Sequence, residues 1–423
     1  MSTSFESRPA DWLELGEALA IVLGAASPLE REEVGLEACL GLALGEDVIA
    51  GATLPPWDNS AMDGYAARVA DVRGASASSP VTLEVVGEVR AGSAARPGVG
   101  PGQAVRIMTG APLPPGADCV VRVEDTDRER EPGRVRIASD RGVGQNVRPA
   151  GQDVREGERV LAAGATLTPG AVGVLAAAGR GSVVVHRRPV VALLTTGDEL
   201  RGPDRFDDVR AGRGVPDTNG PMLAAMVAEA GGCPLPLGNA ADDPDALRER
   251  IEAGAGADVL VTVGGASMGE ADLVKRVLDG LGYRHGFWRV RMRPGSPVGF
   301  GWLPRGGRLQ PVFSLPGNPT SAFVTFEVLL RPFLRRLGGH SQVERRRVLC
   351  RAAEPLVTPA DLTYFLRVEV GGAGPDLEAR LTGPQGSGLV SGLARAGGLA
   401  VIAPETDRIE EGGPVTVLLT GAP

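Results

Sequence analysis

Hydrophobic and polar positions indicate first a helix and then a set of short strands in the N-terminal third of the chain. The segment "DWLELGEALAIVLGAASP" places its apolar side chains mostly on one helical face, with Asp11 suited to the N-cap and Pro28 at the end. From about residue 80 to residue 137 the pattern changes to the alternating runs "VTLEVVGEV", "QAVRIMTG", "DCVVRVEDT" and "GRVRIAS". Glycine and proline separate these runs, which predicts a small β domain.

Residues from about 189 to 338 follow a different pattern, in which strands alternate with helices. "PVVALLTTGDEL" is typical of a buried strand ending at Gly197, and "DTNGPMLAAMVAEAGG" and "DDPDALRERIEAG" are typical of helices. "DVLVTVGGASMGEADLVKRVLDGLG" and "PVFSLPGNPTSAFVTFEVLLRPFLRRLGG" each contain a strand, a glycine loop and a helix, the last with Asn318 as its cap. This alternation predicts a largely parallel sheet covered by helices on both faces. Short strands after residue 341 predict a terminal β domain.

Composition narrows the possible functions. The 423 residues carry a net charge of −8, which argues against general nucleic-acid binding because such binding normally needs a basic face. The four cysteines are far apart without a C-x-x-C pair, so we expect buried, reduced thiols. No apolar run approaches the roughly 18 residues of a membrane span. We therefore expect a cytoplasmic protein that binds neither membranes nor nucleic acid.

Three loops that follow predicted strands carry the candidate chemistry: "TTGDEL", "GGASMGEAD" and "LPGNPTS". Ligands of open parallel sheets bind outside the carboxyl ends of the strands, where these loops should meet. Gly264 and Gly265 would let a ligand approach the backbone, and the following amides with Ser267 would suit an anion. Glu270 and Asp272 would repel that anion unless a cation such as Mg²⁺ lay between them. Alternatively, the two acids only favour a helix dipole.

Other polar positions have both a functional and a purely structural interpretation. Asp243 is suited to capping a helix, which leaves Asp242 as the better candidate ligand. Glu199 lies just beyond a strand-end glycine and is a further candidate. Asp63 in "SAMDGYA" and Thr109 in "RIMTGAP" are equally compatible with ordinary turns.

The segment "RVRMRPGSPVGFG" suggests an oxyanion site. If it forms a strand, Arg289, Arg291 and Arg293 share one face, where they repel each other unless solvent or an anion neutralises them. The rigid "RPGSP" turn would then present Arg293 and Ser296. A solvated strand face is the structural alternative.

Eight motifs follow one another in the order "DNSAMDGYA", "RIMTGAPLPPGAD", "GQDVREGE", "TTGDEL", "DTNGPML", "GGASMGEAD", "MRPGSPVGFG" and "LPGNPTSAF". In this order they resemble the molybdopterin molybdenumtransferases, which are the bacterial MoeA family and the related E domain of gephyrin. The segment "GSGLVSGLARAGGLAVIAPE" extends the resemblance through nearly the whole chain.

This resemblance implies a multidomain fold of the α/β plus β class. The expected parts are an extended helical/linker domain (1–58 and 143–188), a small β domain (59–142), an α/β three-layer molybdopterin-binding domain (189–340) and a C-terminal β-barrel-like domain (341–423). It also implies a homodimer whose active cleft lies between the α/β domain of one subunit and the β domain of the other.

The implied reaction inserts molybdate into adenylyl-molybdopterin with Mg²⁺ and releases AMP. The implied partners are the molybdopterin adenylyltransferase and the molybdoenzyme acceptors. By position, the functional polar residues are Asp63, Thr109, Asp153, Glu199, Asp242 and Asp272, and the last three would hold the metal. The implied substrate- and oxyanion-binding residues are Gly264, Gly265, Ser267, Arg293, Ser296, Pro297, Pro316, Pro319, Arg367 and Ser387.

One position departs from the family pattern. The oxyanion turn of the family usually reads K-x-G-K-P, whereas this chain has Arg293 and Ser296 at the two lysine positions. Arg293 keeps the positive charge and Ser296 does not. The alternatives to the transferase are therefore a non-catalytic paralogue or scaffold that binds the pterin nucleotide, and a nucleotidyltransferase or nucleotide pyrophosphatase on the same α/β fold.

Overall fold

The computed structural model describes residues 12–93, 97–142, 144–264, 273–374 and 376–421. They form two compact units. The first contains the described residues of Met1–Glu46, Ala163–Thr168 and Ser182–Pro423, and the second contains those of Asp47–Ala162 and Pro169–Gly181. The four expected domain boundaries stay a prediction.

The helices of the described residues are α1 (Leu15–Gly24), α2 (Val69–Val72), α3 (Pro169–Ala177), α4 (Phe206–Arg210), α5 (Asn219–Glu229), α6 (Pro244–Ala253), α7 (Leu273–Gly280), α8 (Pro319–Thr325) and α9 (Arg331–Leu337). The strands up to residue 201 are β1 (Arg31–Gly35), β2 (Val48–Ile49), β3 (Asn59–Ser60), β4 (Gly64–Ala67), β5 (Val81–Val89), β6 (Gln103–Ile107), β7 (Cys119–Arg122), β8 (Arg134–Ile137), β9 (Val147–Arg148), β10 (Arg159–Leu161), β11 (Ser182–His186), β12 (Val190–Thr196) and β13 (Leu200–Arg201). The later strands are β14 (Val215–Pro216), β15 (Cys233–Ala240), β16 (Val259–Val263), β17 (Arg284–Phe287), β18 (Met292–Arg293), β19 (Gly299–Arg305), β20 (Arg308–Leu315), β21 (Arg347–Ala352), β22 (Leu356–Val357), β23 (Thr363–Gly371), β24 (Glu378–Leu381), β25 (Gly398–Ile402), β26 (Arg408–Ile409) and β27 (Pro414–Leu419).

A six-stranded sheet in the order β15-β12-β16-β20-β19-β17 forms the centre of the first unit. The strands β15, β12, β16 and β20 are parallel, and β19 and β17 add an antiparallel edge. Alternate residues of β12 enter different cores: Val191 and Leu193 pack with α1, α5 and α9, whereas Ala192 and Leu194 pack with α6 and α7. These three layers confirm the predicted α/β fold.

The start of α6 agrees with its local signal in the sequence. Asp243 accepts hydrogen bonds from the amides of Asp245 at 3.1 Å and Ala246 at 2.9 Å, which confirms its predicted role as the cap of α6. Helix α1 begins at Leu15, and its predicted cap Asp11 lies outside the described residues. The last predicted helix consists of α8 and α9 joined by a π-helical turn over Phe326–Leu330.

Two further sheets confirm the β part of the predicted fold class. In the first unit, the strands β18-β23-β24-β21-β27-β25 form a six-stranded sheet, which an additional pairing between β23 and β25 closes into a small barrel. In the second unit, the strands β7-β4-β6-β5-β8 form a five-stranded sheet. This sheet is apolar on both faces, since Tyr65 and Ala67 of β4 enter one core and Ala66 enters the other.

A charge cluster that is buried except at Glu229 lies where the chain passes from α9 to the barrel. Arg345 donates from Nε to Oε2 of Glu327 at 2.7 Å and from Nη1 to Oε1 of Glu229 at 2.9 Å. His340 is buried nearby, with Nδ1 2.8 Å from Oγ1 of Thr166. Burial, together with the positive charge of neighbouring arginines, lowers the pKa of His340 to about 3.

Three of the four cysteines are buried free thiols, as the sequence predicts; the expectation is wrong for Cys233, which is the first residue of the edge strand β15. All four are free; Cys39, Cys119 and Cys350 are buried and Cys233 is exposed. Within the described ranges, no helix combines the length and apolar character that a bilayer crossing requires.

Candidate functional site

Three strand ends of the central sheet lie in contact. A Cβ added to Gly317, after β20, would lie 3.6 Å from Cα of Gly264, after β16. A Cβ added to Gly264 would lie 2.6 Å from Oγ1 of Thr196, the last residue of β12. The three predicted loops therefore meet at one edge of the sheet, and at Gly264 there is no room for a larger side chain.

Gly264 occupies a position that only glycine fits. Its φ is 98°, and its amide donates to the carbonyl of Leu315 at 3.2 Å. A Cβ there would also lie 3.0 Å from the backbone oxygen of Thr196, which belongs to a central strand and cannot move away cheaply. The other predicted residues of this loop, which are Gly265, Ser267, Glu270 and Asp272, lie outside the described residues.

Two hydrogen bonds also join the loop after β12 to the end of β15 and to the loop that follows it. The Asn239 amide donates from Nδ2 to the Gly197 carbonyl at 2.9 Å, and the Asp242 backbone amide donates to Oδ1 of Asp198 at 3.1 Å. These bonds bring the loops of Glu199 and Asp242 side by side, and both of these acids are exposed.

The carboxylates on these loops fit a magnesium ion. Within the described ranges, no group of three or more His, Cys, Asp or Glu side chains has a metal-binding arrangement. Mg²⁺, however, is commonly held by one or two carboxylates together with substrate phosphates. Glu199 and Asp242 can supply two carboxylates, because Asp243 and not Asp242 is used as the helix cap.

The sequence analysis missed two residues that hold this edge together. Asn219, the first residue of α5, is buried and donates from Nδ2 to the Gly317 carbonyl at 2.6 Å. Its Oδ1 accepts no hydrogen bond within the described part of the chain. Asp217 accepts the Gly220 amide at 3.0 Å and so satisfies the start of α5. The signal was the polar run "DTN" before a helix, which looked like ordinary capping.

The start of α8 differs from the prediction. Asn318 makes no side-chain cap; it donates from Nδ2 to Oγ of Ser387 at 3.1 Å, and the Thr320 amide donates to the Ser387 carbonyl at 3.1 Å. The barrel loop therefore takes the capping role that the sequence assigned to Asn318. Pro316 is buried before this turn, and Pro319 is the first residue of α8.

Arg367 lies on β23 of the barrel, next to the loop that ends at Ser387. Its side chain is 1% exposed and donates from Nη2 to the Pro384 carbonyl at 2.7 Å. Burial lowers the pKa of this guanidinium. Arg367 therefore contacts the backbone of the loop that brings Ser387 to α8.

The predicted alternation of the arginine segment is present in the structure. Val290 and Met292 are buried, whereas Arg289 and Arg291 are half-buried and Arg293 is exposed. Among these five residues Met292–Arg293 forms a strand, and Val290 makes an isolated β-bridge with Leu13. Arg291 pairs with Oε1 of Glu14 at 2.9 Å, and Arg289 lies 5.3 Å from the ring centroid of Trp12. Two of the three arginines therefore have partners within the chain.

The "RPGSP" turn itself is tightly held. Gly295 has a φ of 104°, and a Cβ there would lie 2.5 Å from Cγ2 of Thr325 in α8. Ser296 donates its hydroxyl to the Met292 carbonyl at 2.6 Å, so its proton is used within the turn. Arg293 is exposed and Pro297 is half-buried. Arg293 is therefore the charged and exposed side chain of this turn.

In the second unit, Asp63 and Thr109 form a pair on the surface. Oδ1 of Asp63 accepts the Thr109 amide at 2.7 Å and its hydroxyl at 2.8 Å. The hydrogen bond from the Thr109 amide, and to a lesser extent the one from its hydroxyl, hold the pKa of Asp63 below its ordinary value. The two predicted turns thus carry one ionised carboxylate in a fixed position.

Asp153 lines an open groove of about 390 Å³ in the second unit. The other lining residues are Pro55, Asn59, Arg148 and Gln152. The groove combines one carboxylate, one guanidinium and two amides, which suits a polar ligand.

Comparisons with known proteins cover most of the chain. The model of the MoeA N-terminal region (domain I and II) matches residues 13–179, that of a probable molybdopterin binding domain matches 192–336, and that of the MoeA C-terminal region (domain IV) matches 350–420.

Similar curated proteins share between a third and two fifths of their residues with this chain. The molybdopterin molybdenumtransferase of Bacillus subtilis (strain 168) is 35% identical over an alignment of 401 positions, which covers 92% of this chain and 90% of that protein. Molybdopterin molybdenumtransferase 1 of Mycobacterium tuberculosis (strain H37Rv) is 36% identical over an alignment of 423 positions, which covers 95% of this chain and 97% of that protein. The crystal structure of the molybdopterin biosynthesis moeA protein from Pyrococcus horikoshii OT3 is similar, with a TM-score of 0.81 and 27% identity over 97% of this chain and 100% of that chain.

Proposed function

The chain belongs to the MoeA family of molybdopterin molybdenumtransferases, and on that premise we propose that it inserts molybdate into adenylyl-molybdopterin with Mg²⁺ and releases AMP. It is a transferase of molybdenum cofactor biosynthesis. The observation that carries the finer proposal is the meeting of the loops of Thr196, Gly264 and Gly317 beside the loops of Glu199 and Asp242.

In this proposal Glu199, Asp242 and Asp272 hold Mg²⁺. When bound, the metal neutralises charge on the phosphate anhydride and so makes AMP a better leaving group. Gly264 and Gly317 let the phosphates approach the backbone where side chains would obstruct them. The bond from the Asp242 amide to Asp198 keeps the two described carboxylate loops together.

Molybdate is a dianion, and the exposed Arg293 supports its binding at the "RPGSP" turn. The Ser296 hydroxyl can add a hydrogen bond only by giving up its bond to the Met292 carbonyl. We therefore propose that Arg293 supplies most of the attraction for molybdate, and that Ser296 and Pro297 shape the turn.

We further propose a cytoplasmic homodimer to which Asp63, Thr109 and Asp153 contribute catalytic polar groups. The exposed, ionised Asp63 with its fixed partner Thr109 supports this role, since a surface carboxylate held by two hydrogen bonds is preorganised for a ligand. The molybdopterin adenylyltransferase would supply the substrate and molybdoenzymes would accept the product.

An AMP-release assay with and without molybdate tests the reaction. Purified chain, adenylyl-molybdopterin, Mg²⁺ and molybdate should yield AMP well above a protein-free control. Asp242→Asn should lower this rate about 10-fold or more, and Asp243→Asn should retain it because asparagine also caps helices well. Equal rates in the two variants would remove Asp242 from the proposed site.

Other outcomes select the alternatives. Tight binding of the pterin nucleotide without molybdate-dependent AMP release would indicate a non-catalytic paralogue, which the internally bonded Ser296 favours. Adenylylation of molybdopterin from ATP would indicate a nucleotidyltransferase.

Mixing two inactive variants tests whether copies share a site. Asp63→Asn and Asp242→Asn chains, mixed under conditions that exchange subunits, should regain AMP release if each copy completes the site of the other. A mixture that stays inactive although mixed dimers are seen by native mass spectrometry would contradict this part of the proposal.

A further inference from the structure

The segment that follows Glu199 contains an aspartate surrounded by arginines. Asp208, on α4, accepts hydrogen bonds from Nε and Nη2 of Arg205 at 3.1 and 2.7 Å through Oδ2. It accepts matching bonds from Arg213 at 3.1 and 2.7 Å through Oδ1. The Asp208 side chain is 20% exposed, whereas its neighbour Asp207 is 91% exposed. Asp208 is therefore the fixed centre of this segment.

A third arginine connects this centre to the candidate site. Arg201 donates from Nη1 to the carbonyls of Asp198 at 2.6 Å and Leu200 at 2.9 Å, which are the two carbonyls on either side of Glu199. Its Nε lies 3.8 Å from Oδ2 of Asp208. The Arg201 side chain is 19% exposed, so the nearby carboxylate of Asp208 keeps its charge from being buried alone.

The connection continues to the second candidate ligand. Asp198, whose carbonyl Arg201 holds, accepts the Asp242 amide through Oδ1 at 3.1 Å. A path of direct contacts thus runs from Asp208 through Arg201 and Asp198 to the loops of both Glu199 and Asp242.

We propose that Asp208 and Arg201 are positioning residues, which fix the carboxylates of Glu199 and Asp242 at the spacing that a divalent cation requires. The inference rests on the proposed function of those two carboxylates. Residues behind metal ligands are often as important as the ligands, because they hold the ligand geometry without contacting the ion.

The bonds of Arg201 are not needed to satisfy the carboxylate of Asp208. Arg205 and Arg213 already satisfy both oxygens of Asp208. The short bonds of Arg201 end instead on the backbone around Glu199, where they fix the turn that carries the candidate ligand.

The experiment compares two adjacent aspartates of one helix, using Mn²⁺ as the probe. The Mn²⁺ dissociation constant of the full chain is measured by electron paramagnetic resonance in the presence of AMP. We expect Asp208→Asn to raise it about 10-fold or more and Asp207→Asn to leave it within about twofold. Asp208→Asn should also raise the Mg²⁺ concentration that gives half-maximal AMP release, and saturating Mg²⁺ should restore most of the rate. A merely structural defect would not be corrected by added metal.

Thermal unfolding without metal separates positioning from folding. If Asp208→Asn lowers the melting temperature, Arg213→Gln provides the second probe, since its side chain is 64% exposed and it removes two of the four hydrogen bonds to Asp208. Arg213→Gln should still weaken Mn²⁺ binding. Equal Mn²⁺ affinity in the Asp207 and Asp208 variants, with AMP release intact, would overturn this inference alone. A wild-type chain that neither binds Mn²⁺ nor releases AMP would overturn the proposed function and this inference with it.

Discussion

Replacing Gly264 with alanine should damage both the fold and the site. At a φ of 98°, a residue with a Cβ is strained by about 1–2 kcal/mol. The added Cβ would also lie 2.6 Å from Oγ1 and 3.0 Å from the carbonyl oxygen of Thr196. The hydroxyl can rotate away but the strand carbonyl cannot, and the forced shift adds roughly 1–3 kcal/mol. Gly264→Ala should therefore lower the free energy of unfolding by about 2–5 kcal/mol, as the sum of these two ranges.

Urea unfolding measures this loss, and Gly16→Ala is the matched control. Gly16 lies in α1, where an added Cβ would meet no atom within 4 Å. Alanine there should raise stability by about 0.5–1 kcal/mol because glycine is the poorer helix former. The AMP-release rate should fall in Gly264→Ala even where the chain remains folded, since the contact of the three loops is pushed apart. If the free energy of unfolding of Gly264→Ala is within about 0.5 kcal/mol of the wild-type value and the AMP-release rate is retained, Gly264 is not closely packed against Thr196.

Three further predictions concern pH, buried charge and the oxyanion turn. Because the pKa of His340 is lowered to about 3 in the folded chain, only the unfolded chain binds a proton at this residue between pH 6.5 and 5. The free energy of unfolding should therefore be full above about pH 6.5 and fall by about 2 kcal/mol between pH 6.5 and 5. Unfolding of His340→Gln, measured at both pH values, should show a smaller decline. Glu327→Ala should cost about 1–3 kcal/mol, because the buried Arg345 loses two hydrogen bonds and keeps those to the exposed Glu229. Calorimetry of Glu344→Ala, at a side chain 46% exposed, should show less than about 1 kcal/mol. Ser296→Lys should lower the KM for molybdate severalfold by adding a second cation, and an unchanged KM would show that this turn does not bind the oxyanion.

The sequence was sufficient for the features that depend on local pattern. Alternating strands, glycine loops and helices specify a parallel sheet, and that topology alone places the loops of Gly197, Gly264 and Gly317 at one edge. The cap at Asp243 was equally local, because aspartate before proline at a helix start has few other roles.

Features that depend on distant partners could not be read in the same way. Asn318 looked like a cap, but its partner is Ser387, 69 residues further along the chain. The alternation of Arg289 and Arg291 was visible in the sequence, but their partners Trp12 and Glu14 in the N-terminal segment were not. Asp208 is indistinguishable from Asp207 in sequence, and only the folded segment shows which of them the arginines surround.

The Ser387 carbonyl at the start of α8 has a consequence for how the protein attracts anions. At the positive end of that helix, an amide already donates to the barrel loop of the same chain. Amides at the starts of α5 and α6 likewise donate to Asp217 and Asp243. At these three helix starts an incoming oxyanion finds no vacant ring of amides. In the proposed function, the attraction therefore falls to groups elsewhere, such as the guanidinium of Arg293, and it weakens as ionic strength rises.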